Sequence, residues 1–352
     1  MPLTTIRRVD ILPFEVELDA PFGIAGGALA RACNVRVDIE LASGIIGYGE
    51  AAPFPAVTGE TQQSTLAQLR SASAHLIGGD VARYRPLLLA IRAHIGLGSA
   101  LAAIEAATLD ALTRHLSTPL WQFFGGASSS LKTDMTVTTG SVTEARAAAA
   151  SMVARGIDLI KVKVGGNALA NDVARVMAIH EASGGKALLL DGNCALDPDA
   201  AIAMVRAVRE RGATVALFEQ PVQKHDLVGL GAVQQRAEVL VAADEAVQTA
   251  RDALAIARLG CAGVINIKLM KAGLLEALDI AAVARAAGIE LMIGAMVETR
   301  LGTAPSACFA AGLGGFRFVD LDTPWFLRED PFSGGYTEAG ATLDVGGIKA
   351  GH

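Results

Sequence analysis

Two lysines, Lys161 and Lys163, lie two residues apart in an otherwise apolar segment. Ile160, Val162 and Val164 alternate with them, a pattern that predicts a β-strand with both lysine side chains on one face. A helical pattern follows, so we expect a parallel sheet whose two faces are covered and normally apolar. Two like charges on such a face are costly unless a partner or a reaction requires them, so the pair marks a candidate reactive site.

Three carboxylates, Asp191, Glu219 and Asp244, close three later apolar segments. Side chains at the carboxyl ends of neighbouring parallel strands converge in space. Three hard oxygen ligands without His or Cys favour Mg²⁺, with Mn²⁺ as the alternative ion. Strand parity places Asn193 and Asn266 on the same inward face, where we expect them to support the ligands. One such carboxylate alone would fit a helix N-cap or a surface charge equally well, whereas three beside lysines favour a metal site.

A third lysine, Lys268, ends another strand-like segment. Lys163 falls on the second and Lys268 on the sixth of eight strand-like segments that recur along the chain and are described below. In a closed sheet of eight strands the two lysines would face each other. One lysine could remove a proton α to a metal-bound carboxylate and the other could return it, which is racemisation or epimerisation. Lys161 would lower the pKa of Lys163, because a nearby like charge disfavours the protonated form. A lysine in such a closed sheet could instead form a Schiff base with the substrate, as in an aldolase, but that reaction would not need the three carboxylates.

Asp320 and Asp322 form a second pair with the same spacing, on the last strand-like segment. The metal already has its ligands in the other three carboxylates. Capture of a substrate ammonium group suits this pair better, because an unpaired cation is best placed between carboxylates. An exposed acidic loop is the alternative interpretation of this spacing.

The chain repeats a unit of one strand and one helix from about residue 132 onward. Seven successive apolar segments end at positions 163, 191, 219, 244, 268, 293 and 320, at intervals of 24 to 28 residues, and most end in a polar residue. Such intervals fit a strand with its crossover helix, and residues 133–138 supply an earlier strand. Eight strands of this kind predict a (β/α)8-type barrel. A doubly wound sheet is the alternative, disfavoured because it would concentrate the polar residues at one switch point.

Residues 1–125 lack this repeat and are expected to form a separate α+β domain, with strands over 9–18 and 34–42. The barrel is assigned to residues 126–324. The tail, residues 325–352, leaves the repeat and is expected to pack back on the first domain.

Composition argues against several classes of function. A hydrophobic fraction of 52% and a net charge of −6 suit a protein with a sizeable core, and nucleic acid is not expected as a partner. Charges in the first twenty residues and glycines in the uncharged run before Arg317 argue against a leader and a membrane span. Gly165–Gly166 lacks the spacing of a phosphate loop, and the cysteines and histidines lack metal-site or disulfide spacing. We expect a cytoplasmic location, and a homo-oligomer is left open.

These residues match a known family over nearly the whole chain. The set resembles the enolase superfamily, muconate lactonizing enzyme subgroup, on six residues: Lys161, Lys163, Asp191, Glu219, Asp244 and Lys268. Residues 292–300, followed by 320–324, are similar to the corresponding segments of the dipeptide epimerases related to L-Ala-D/L-Glu epimerase.

The resemblance implies a modified (β/α)7β barrel with an α+β capping domain. It implies that Lys163 and Lys268 are the acid and base, and that Asp320 and Asp322 bind the α-ammonium group of a dipeptide. The implied reaction is epimerisation, through an enediolate, at the α-carbon of the C-terminal residue of an L-Ala-Xaa-type dipeptide, with one Mg²⁺ per site. Three further residues are candidates for substrate contact: Thr136, Thr138 and Glu298.

One departure from the family concerns the capping loop after Phe22. Enzymes that prefer a C-terminal glutamate carry an arginine in this loop, whereas ungapped alignment places Gly26 or Gly27 there and leaves Arg31 out of register. Without a fixed cation, we predict a pocket for small or apolar second residues. Two loops are expected to line it, the first at Phe22 and Ile24 and the second at Phe54 and Thr58.

Other functions stay open at this point. o-Succinylbenzoate synthase, N-succinylamino acid racemase and cycloisomerases share the lysines and metal ligands, but they need no carboxylate pair for an ammonium group. Asp320 and Asp322 therefore discriminate against them. A catalytically silent binding barrel is disfavoured by the complete set of lysines and ligands.

Overall fold

The N-terminal part of the chain forms an antiparallel sheet in which neighbouring strands follow chain order. The computed structural model describes residues 2–24 and 27–352. Alternating residues of the second strand, including Val35, Val37 and Ile39, are fully buried against helices on one face. The strands are β1 (Ile6–Ile24), β2 (Gly27–Leu41) and β3 (Ile46–Ala51).

Five helices complete this capping domain: α1 (Pro55–Thr58), α2 (Gln62–Leu76), α3 (Tyr84–Ile95), α4 (Ser99–His115) and α5 (Leu120–Phe123). Helix α4 packs directly on β3 because two glycines leave room for its backbone. A Cβ atom would lie 2.2 Å from Ala107 O if added at Gly47, and 2.1 Å from Ala103 O if added at Gly49. Single-turn 3-10 helices cover Val81–Arg83 and, much later, Thr323–Phe326.

Eight parallel strands follow the capping domain, each hydrogen-bonded to the next in chain order. After a short strand, β4 (Ser130–Lys132), they are β5 (Met135–Val137), β6 (Ile160–Lys163), β7 (Leu188–Asp191), β8 (Val215–Glu219), β9 (Val241–Ala243), β10 (Val264–Lys268), β11 (Glu290–Gly294) and β12 (Phe316–Asp320). The backbone N–H of Asp134 donates to Val319 O at 2.8 Å, which brings the two ends of the sheet together.

Seven helices connect the eight strands: α6 (Val142–Ala154), α7 (Leu169–Ala182), α8 (Pro198–Arg209), α9 (Leu227–Arg236), α10 (Ala250–Leu259), α11 (Leu269–Ala286) and α12 (Arg300–Leu313). Helix α11 is interrupted at Gly273, whose φ is +74°. One helix between each pair of successive strands confirms the predicted (β/α)7β barrel with an α+β capping domain.

Strand parity decides which side chains enter the barrel. A closed apolar cluster fills the interior, formed by Leu189, Leu217, Ala242, Val264, Met292 and Phe318. Each of Asp191, Glu219 and Asp244 lies two positions after a member of this cluster and so continues the inward face. Ile160 and Val162 belong instead to the core between sheet and helices, which leaves the alternating lysines facing inward. Burying one such aliphatic side chain contributes about 1.5–3 kcal/mol, so slipping this register by one residue would be costly.

The tail contacts both parts of the molecule. Strand β13 (Thr337–Ala339) pairs with β14 (Thr342–Asp344), and β14 pairs with β4. Leu327 pairs with Leu18 of the capping sheet, and the backbone N–H of His352 donates to Asp110 of α4 at 2.8 Å. Within the ranges that the structure describes, every helix is too short or too polar to cross a membrane.

Candidate active site

The two lysines of β6 point into the mouth of the barrel among carboxylates. Lys161 Nζ lies 3.0 Å from Asp191 Oδ2, 2.7 Å from Glu219 Oε2 and 2.7 Å from Asp320 Oδ2. Lys163 Nζ donates to Asp191 Oδ2 at 2.6 Å. Lys161 is completely enclosed, whereas Lys163 lines a cavity between the barrel and the capping domain. Acidic groups from three other barrel strands, β7, β8 and β12, therefore surround the two buried lysines.

Lys268, at the end of β10, lines the same cavity. Its Nζ lies 2.7 Å from Asp244 Oδ2. Lys163 and Lys268 therefore reach one cavity from strands that are four apart in the sheet, as the spacing of the repeat predicts.

The three predicted metal ligands are held by neighbouring strands and by the two predicted asparagines. Asp191 pairs with Glu219 in the register of β7 and β8. Asn266 Nδ2 donates to Glu219 Oε1 at 2.7 Å, and the backbone N–H of Asn193 donates to Asp191 Oδ1 at 3.0 Å. All three carboxylates are fully buried acceptor groups, the donor set that a hard divalent cation requires.

Two residues that were not predicted from the sequence form hydrogen bonds with Asp244. Lys271 Nζ donates to Asp244 O and to Asp244 Oδ1, both at 2.5 Å. Gln220 Oε1 accepts hydrogen bonds from the backbone N–H groups of Asp244 at 2.9 Å and Ala246 at 3.1 Å. The available signals were a lysine three residues after Lys268 and a glutamine directly after Glu219.

A third missed residue, Asp134, joins the predicted ammonium pair. Oxygens of Asp134, Asp320 and Asp322 lie within 4.8 Å of one another, and all three side chains are buried. Asp322 Oδ2 accepts a hydrogen bond from the backbone N–H of Thr136 at 2.6 Å. Asp320 and Asp322 line the cavity, and Asp134 does not belong to its lining. Among the described residues, the three predicted metal ligands do not bring their oxygens within this distance of one another.

The charge of the buried cluster is strongly unbalanced. It contains four lysines and seven carboxyl groups, namely Lys161, Lys163, Lys268 and Lys271 with Asp134, Asp191, Glu219, Asp244, Glu245, Asp320 and Asp322. If all were ionised, three negative charges would lack a counter-charge, and buried charges need partners. A divalent cation would compensate two of these three charges, and a substrate ammonium group would give the Asp320–Asp322 pair a local counter-charge.

The pKa directions reflect the same imbalance. Burial, with Asp191 nearby, raises the pKa of Glu219 to about 8. Burial and Asp320 together raise the pKa of Asp322 to about 7. Burial alone would lower the pKa of Lys268, but Asp244 and Glu219 outweigh it and raise that pKa. A cation bound to these carboxylates would weaken their attraction for the ammonium group of Lys268 and so lower the pKa of that lysine.

The cavity is small and has apolar walls on the capping side. Its volume is about 20 Å³. Phe22, Phe54 and Val57 line it from the capping domain, and Ala295 and Met296 from the loop after β11. The ring of Phe22 packs edge-on against Phe326, with centroids 5.2 Å apart.

Only some of the residues predicted to contact substrate line this cavity. Thr136 lines it, whereas Thr138 lines a neighbouring cavity of about 600 Å³ outside the first barrel strand. Glu298 does not belong to the lining, and its Oε1 accepts a hydrogen bond from Met296 N at 2.7 Å. Thr58 ends helix α1 and donates to Phe54 O at 3.2 Å, so Val57 takes the predicted place in the wall.

The structure describes only part of the capping loop after Phe22. The side chain of Ile24 and all of Gly26 lie outside the described residues, and Gly27 begins β2. Arg31 points away from the cavity and pairs with Glu15 at 2.6 Å and Glu17 at 3.8 Å, with 54% of its side chain exposed. It therefore does not replace the missing arginine.

Family models match both parts of the chain. Residues 6–125 match the mandelate racemase/muconate lactonizing enzyme N-terminal domain, and residues 144–346 match the enolase C-terminal domain-like family. The chain is 48% identical to an aromatic dipeptide epimerase of Herpetosiphon aurantiacus, over 99% of this chain and 98% of that protein. It is 37% identical to an L-Ala-D/L-Glu epimerase of Bacillus subtilis, over 97% of this chain and 94% of that protein.

Solved structures show the same similarity. A substrate-liganded L-Ala-D/L-Glu epimerase from Bacillus subtilis superposes with a TM-score of 0.95 at 36% identity, covering 98% of each chain. A dipeptide epimerase from Enterococcus faecalis, complexed with Mg and L-Leu-L-Tyr, superposes with a TM-score of 0.94 at 34% identity, covering 99% of this chain and 100% of that one.

Proposed function

This chain belongs to the mandelate racemase/muconate lactonizing enzyme family of enolase-like proteins, and we propose that it is a Mg²⁺-dependent dipeptide epimerase. It would invert the α-carbon of the C-terminal residue of an L-Ala-Xaa-type dipeptide. The observation that carries the proposal is one cavity lined by two lysines from opposite strands and by the Asp320–Asp322 pair. Relatives named as dipeptide epimerases at up to 48% identity support it.

The two lysines are proposed to hold the proton on either side of the substrate α-carbon. Lys163 on β6 would remove the proton from one face while the ammonium group of Lys268 on β10 delivers one to the other, and the roles reverse for the opposite epimer. Their positions at the ends of packed strands keep both amines aimed at the cavity. Lys161 touches Asp191, Glu219 and Asp320, so it neutralises buried carboxylates. Its effect on the pKa of Lys163 stays a prediction.

Asp191, Glu219 and Asp244 are proposed to hold the Mg²⁺ ion. When bound, this ion would act as a Lewis acid that polarises the substrate carboxylate and stabilises the negative charge developing beside the α-carbon. Asn193, Asn266, Gln220 and Lys271 would keep the ligands in place, because each bonds to one of them or to its backbone.

Asp320 and Asp322 are proposed to bind the α-ammonium group of the dipeptide. Among the described residues, Asp322 Oδ1 is buried without a hydrogen-bond partner, and its side chain lines the cavity. A buried acceptor of this kind matches a charged N–H donor, and it disfavours substrates whose amino group is acylated.

The second residue of the substrate is proposed to be apolar or aromatic. Phe22, Phe54, Val57 and Met296 supply the described walls near the α-carbon. Among the described lining residues, the basic groups are the two lysines of the reaction, so no further cation is available for a glutamate side chain. A cytoplasmic location remains a prediction from the sequence, and the oligomeric state stays open.

A dipeptide screen in D₂O with Mg²⁺ tests this function. We expect deuterium to enter the α-carbon of the second residue with inversion, faster for L-Ala-L-Phe or L-Ala-L-Leu than for L-Ala-L-Glu. N-Acetyl-L-Ala-L-Phe and N-succinyl-L-Phe serve as controls and should exchange slowly. Exchange limited to the N-succinyl compound would instead point to a racemase of acylated amino acids. L-Ala-L-Glu as by far the best substrate would contradict the apolar pocket.

A further inference from the structure

The loop after β11 forms one wall of the active-site cavity. Ala295 and Met296 line the cavity, and Val297 and Thr299 follow them closely along the chain. Thr299 is the N-cap of α12, which begins at Arg300. The position of this wall therefore depends on what holds Val297 and Thr299.

Two buried polar residues of the capping sheet hold this loop. Glu50 Oε1 accepts a hydrogen bond from the backbone N–H of Thr299 at 3.0 Å, and Glu50 Oε2 accepts one from Thr299 Oγ1. Asn34 Nδ2 donates to Glu50 Oε1 at 2.6 Å and to Val297 O at 2.9 Å. Asn34 and Glu50 are each 1% exposed. We call these four residues, Asn34, Glu50, Val297 and Thr299, the Glu50 junction.

The Glu50 junction is also continuous with the opposite wall. Glu50 lies in β3, and Phe54 and Val57, which line the cavity from the capping side, come four and seven residues later. Gly49 lets β3 pack against the α4 backbone without an intervening side chain, so this strand has little room to shift. The capping-side wall therefore stays fixed, and a change at Glu50 moves the loop after β11 relative to it.

The reacting groups lie elsewhere. Lys163 ends β6 and Lys268 ends β10, and neither contacts a residue of the Glu50 junction through a hydrogen bond or ion pair among the described residues. Altering the junction should therefore leave the acid and base in place while moving the walls around the substrate side chain.

We infer that Glu50 is a positioning residue that sets the separation of the two cavity walls and, through it, the preference for the size of the second side chain. This inference rests on the proposed epimerase function. Glu50 itself does not line the cavity, so it acts through Thr299 on the loop after β11, while β3 fixes the distance of that loop from the capping-side wall.

Glu50→Ala, Glu50→Gln and a matched control test the inference. Glutamine keeps an acceptor for Asn34 and Thr299, and burial raises the pKa of Glu50 to about 7, so the protonated carboxyl and the amide are close equivalents. Glu105→Ala is the control, because Glu105 is a buried glutamate of α4 that accepts the backbone N–H groups of Leu274 and Leu275, and none of these three residues lines the active-site cavity.

The readout is the ratio of kcat/KM for L-Ala-L-Phe to that for L-Ala-L-Ala. In Glu50→Ala we expect it to fall at least fivefold, mainly through a higher KM for L-Ala-L-Phe, with kcat changed less than threefold. Glu50→Gln should restore the ratio to within twofold of wild type. Glu105→Ala should lower the melting temperature but leave the ratio within twofold. Amide exchange at 295–301 should accelerate in Glu50→Ala and stay at the wild-type rate in Glu105→Ala.

An unchanged ratio in Glu50→Ala, or an equal change in Glu105→Ala, would overturn the inference. If Glu50→Ala does not fold, Asn34→Ala removes two of the four bonds and should shift the ratio in the same direction by a smaller factor. Wild-type protein that epimerises no dipeptide would defeat the proposed function itself. Active wild type with an unaltered ratio in these variants would defeat only the role of Glu50.

Discussion

At the scale of single residues, the site depends on side chains whose direction is set by two-residue periodicity. Asp191, Glu219 and Asp244 could be assigned to one inward face from sequence alone, because each lies two residues after an apolar residue that fills the barrel interior. Asp134 and Lys271 could not be assigned this way. Their contacts depend on the stagger of the first strand against the last and on the start of α11, which local periodicity does not encode.

The division of labour between the lysines can be measured directly. Lys163→Ala and Lys268→Ala should each lower kcat for epimerisation by at least about 10²–10⁴-fold, the usual contribution of a positioned acid or base. Each variant should also retain deuterium exchange preferentially from one epimer, because the remaining lysine still reaches one face of the α-carbon. Stopped assays with L,L- and L,D-dipeptides in D₂O, with proton NMR detection, provide the measurement.

Lys186→Ala is the matched control for these variants, since Lys186 is a partly exposed lysine that pairs with Asp158 at 2.7 Å. Its activity should stay near that of wild type. Calorimetric Mg²⁺ titration of the two active-site variants should still show binding. Unchanged turnover in either Lys163→Ala or Lys268→Ala would exclude the two-base scheme.

At the scale of elements, the repeat predicted the barrel strands to within about two residues, whereas the capping hairpin is longer than expected. Strands predicted over 9–18 and 34–42 extend over Ile6–Ile24 and Gly27–Leu41. The reason is an irregularity in register between Glu17 and Phe22, beyond which pairing resumes at Phe22 and Leu29. A bulge of this kind breaks the alternation on which a strand prediction depends.

The packing of β3 on α4 gives a prediction at this scale. Gly49→Ala should destabilise the protein by about 1–3 kcal/mol or more, because the added Cβ would meet Ala103 O at 2.1 Å in a packed interior. Gly347→Ala is the control, since Gly347 is exposed and its Cβ would meet no atom within 4 Å. That variant should stay within about 0.5 kcal/mol of wild type. Equal melting temperatures for the two variants would show that β3 can move away from α4.

At the scale of the whole molecule, the capping domain and barrel are joined by buried glutamates on two sides. Glu50 binds the loop after β11, and Glu105 of α4 accepts the backbone N–H groups of Leu274 and Leu275 where α11 restarts after Gly273. Neither contact was predicted, because the sequence shows these residues only as isolated acids within apolar segments. Their hydrogen-bond partners belong to the other domain and are distant in sequence.

The buried carboxyl group of Glu105 should make the stability of the protein depend on pH. Burial raises the pKa of Glu105 from 4.5 to about 7, although the two backbone N–H groups and Arg92 act in the opposite direction and Glu276 adds to the increase. The folded state then keeps a proton that the unfolded chain has released. The contribution of Glu105 to the free energy of unfolding is therefore largest below pH 4.5 and is lost as pH rises towards about 7.

Glu105→Gln isolates this effect, because glutamine keeps the acceptor for Leu274 and Leu275 but cannot ionise. The free energy of unfolding of wild type, relative to Glu105→Gln, should fall by about 2–3 kcal/mol between pH 5 and pH 8, since one pKa unit corresponds to about 1.4 kcal/mol and the fall is already under way at pH 5. Urea unfolding followed by fluorescence at several pH values measures the difference. Glu210→Gln, at an exposed position after α8, is the control for removing a carboxylate. Parallel pH curves for wild type and Glu105→Gln would mean that Glu105 ionises in the folded protein at its ordinary pH, and that water or a counter-charge reaches this side of the domain junction.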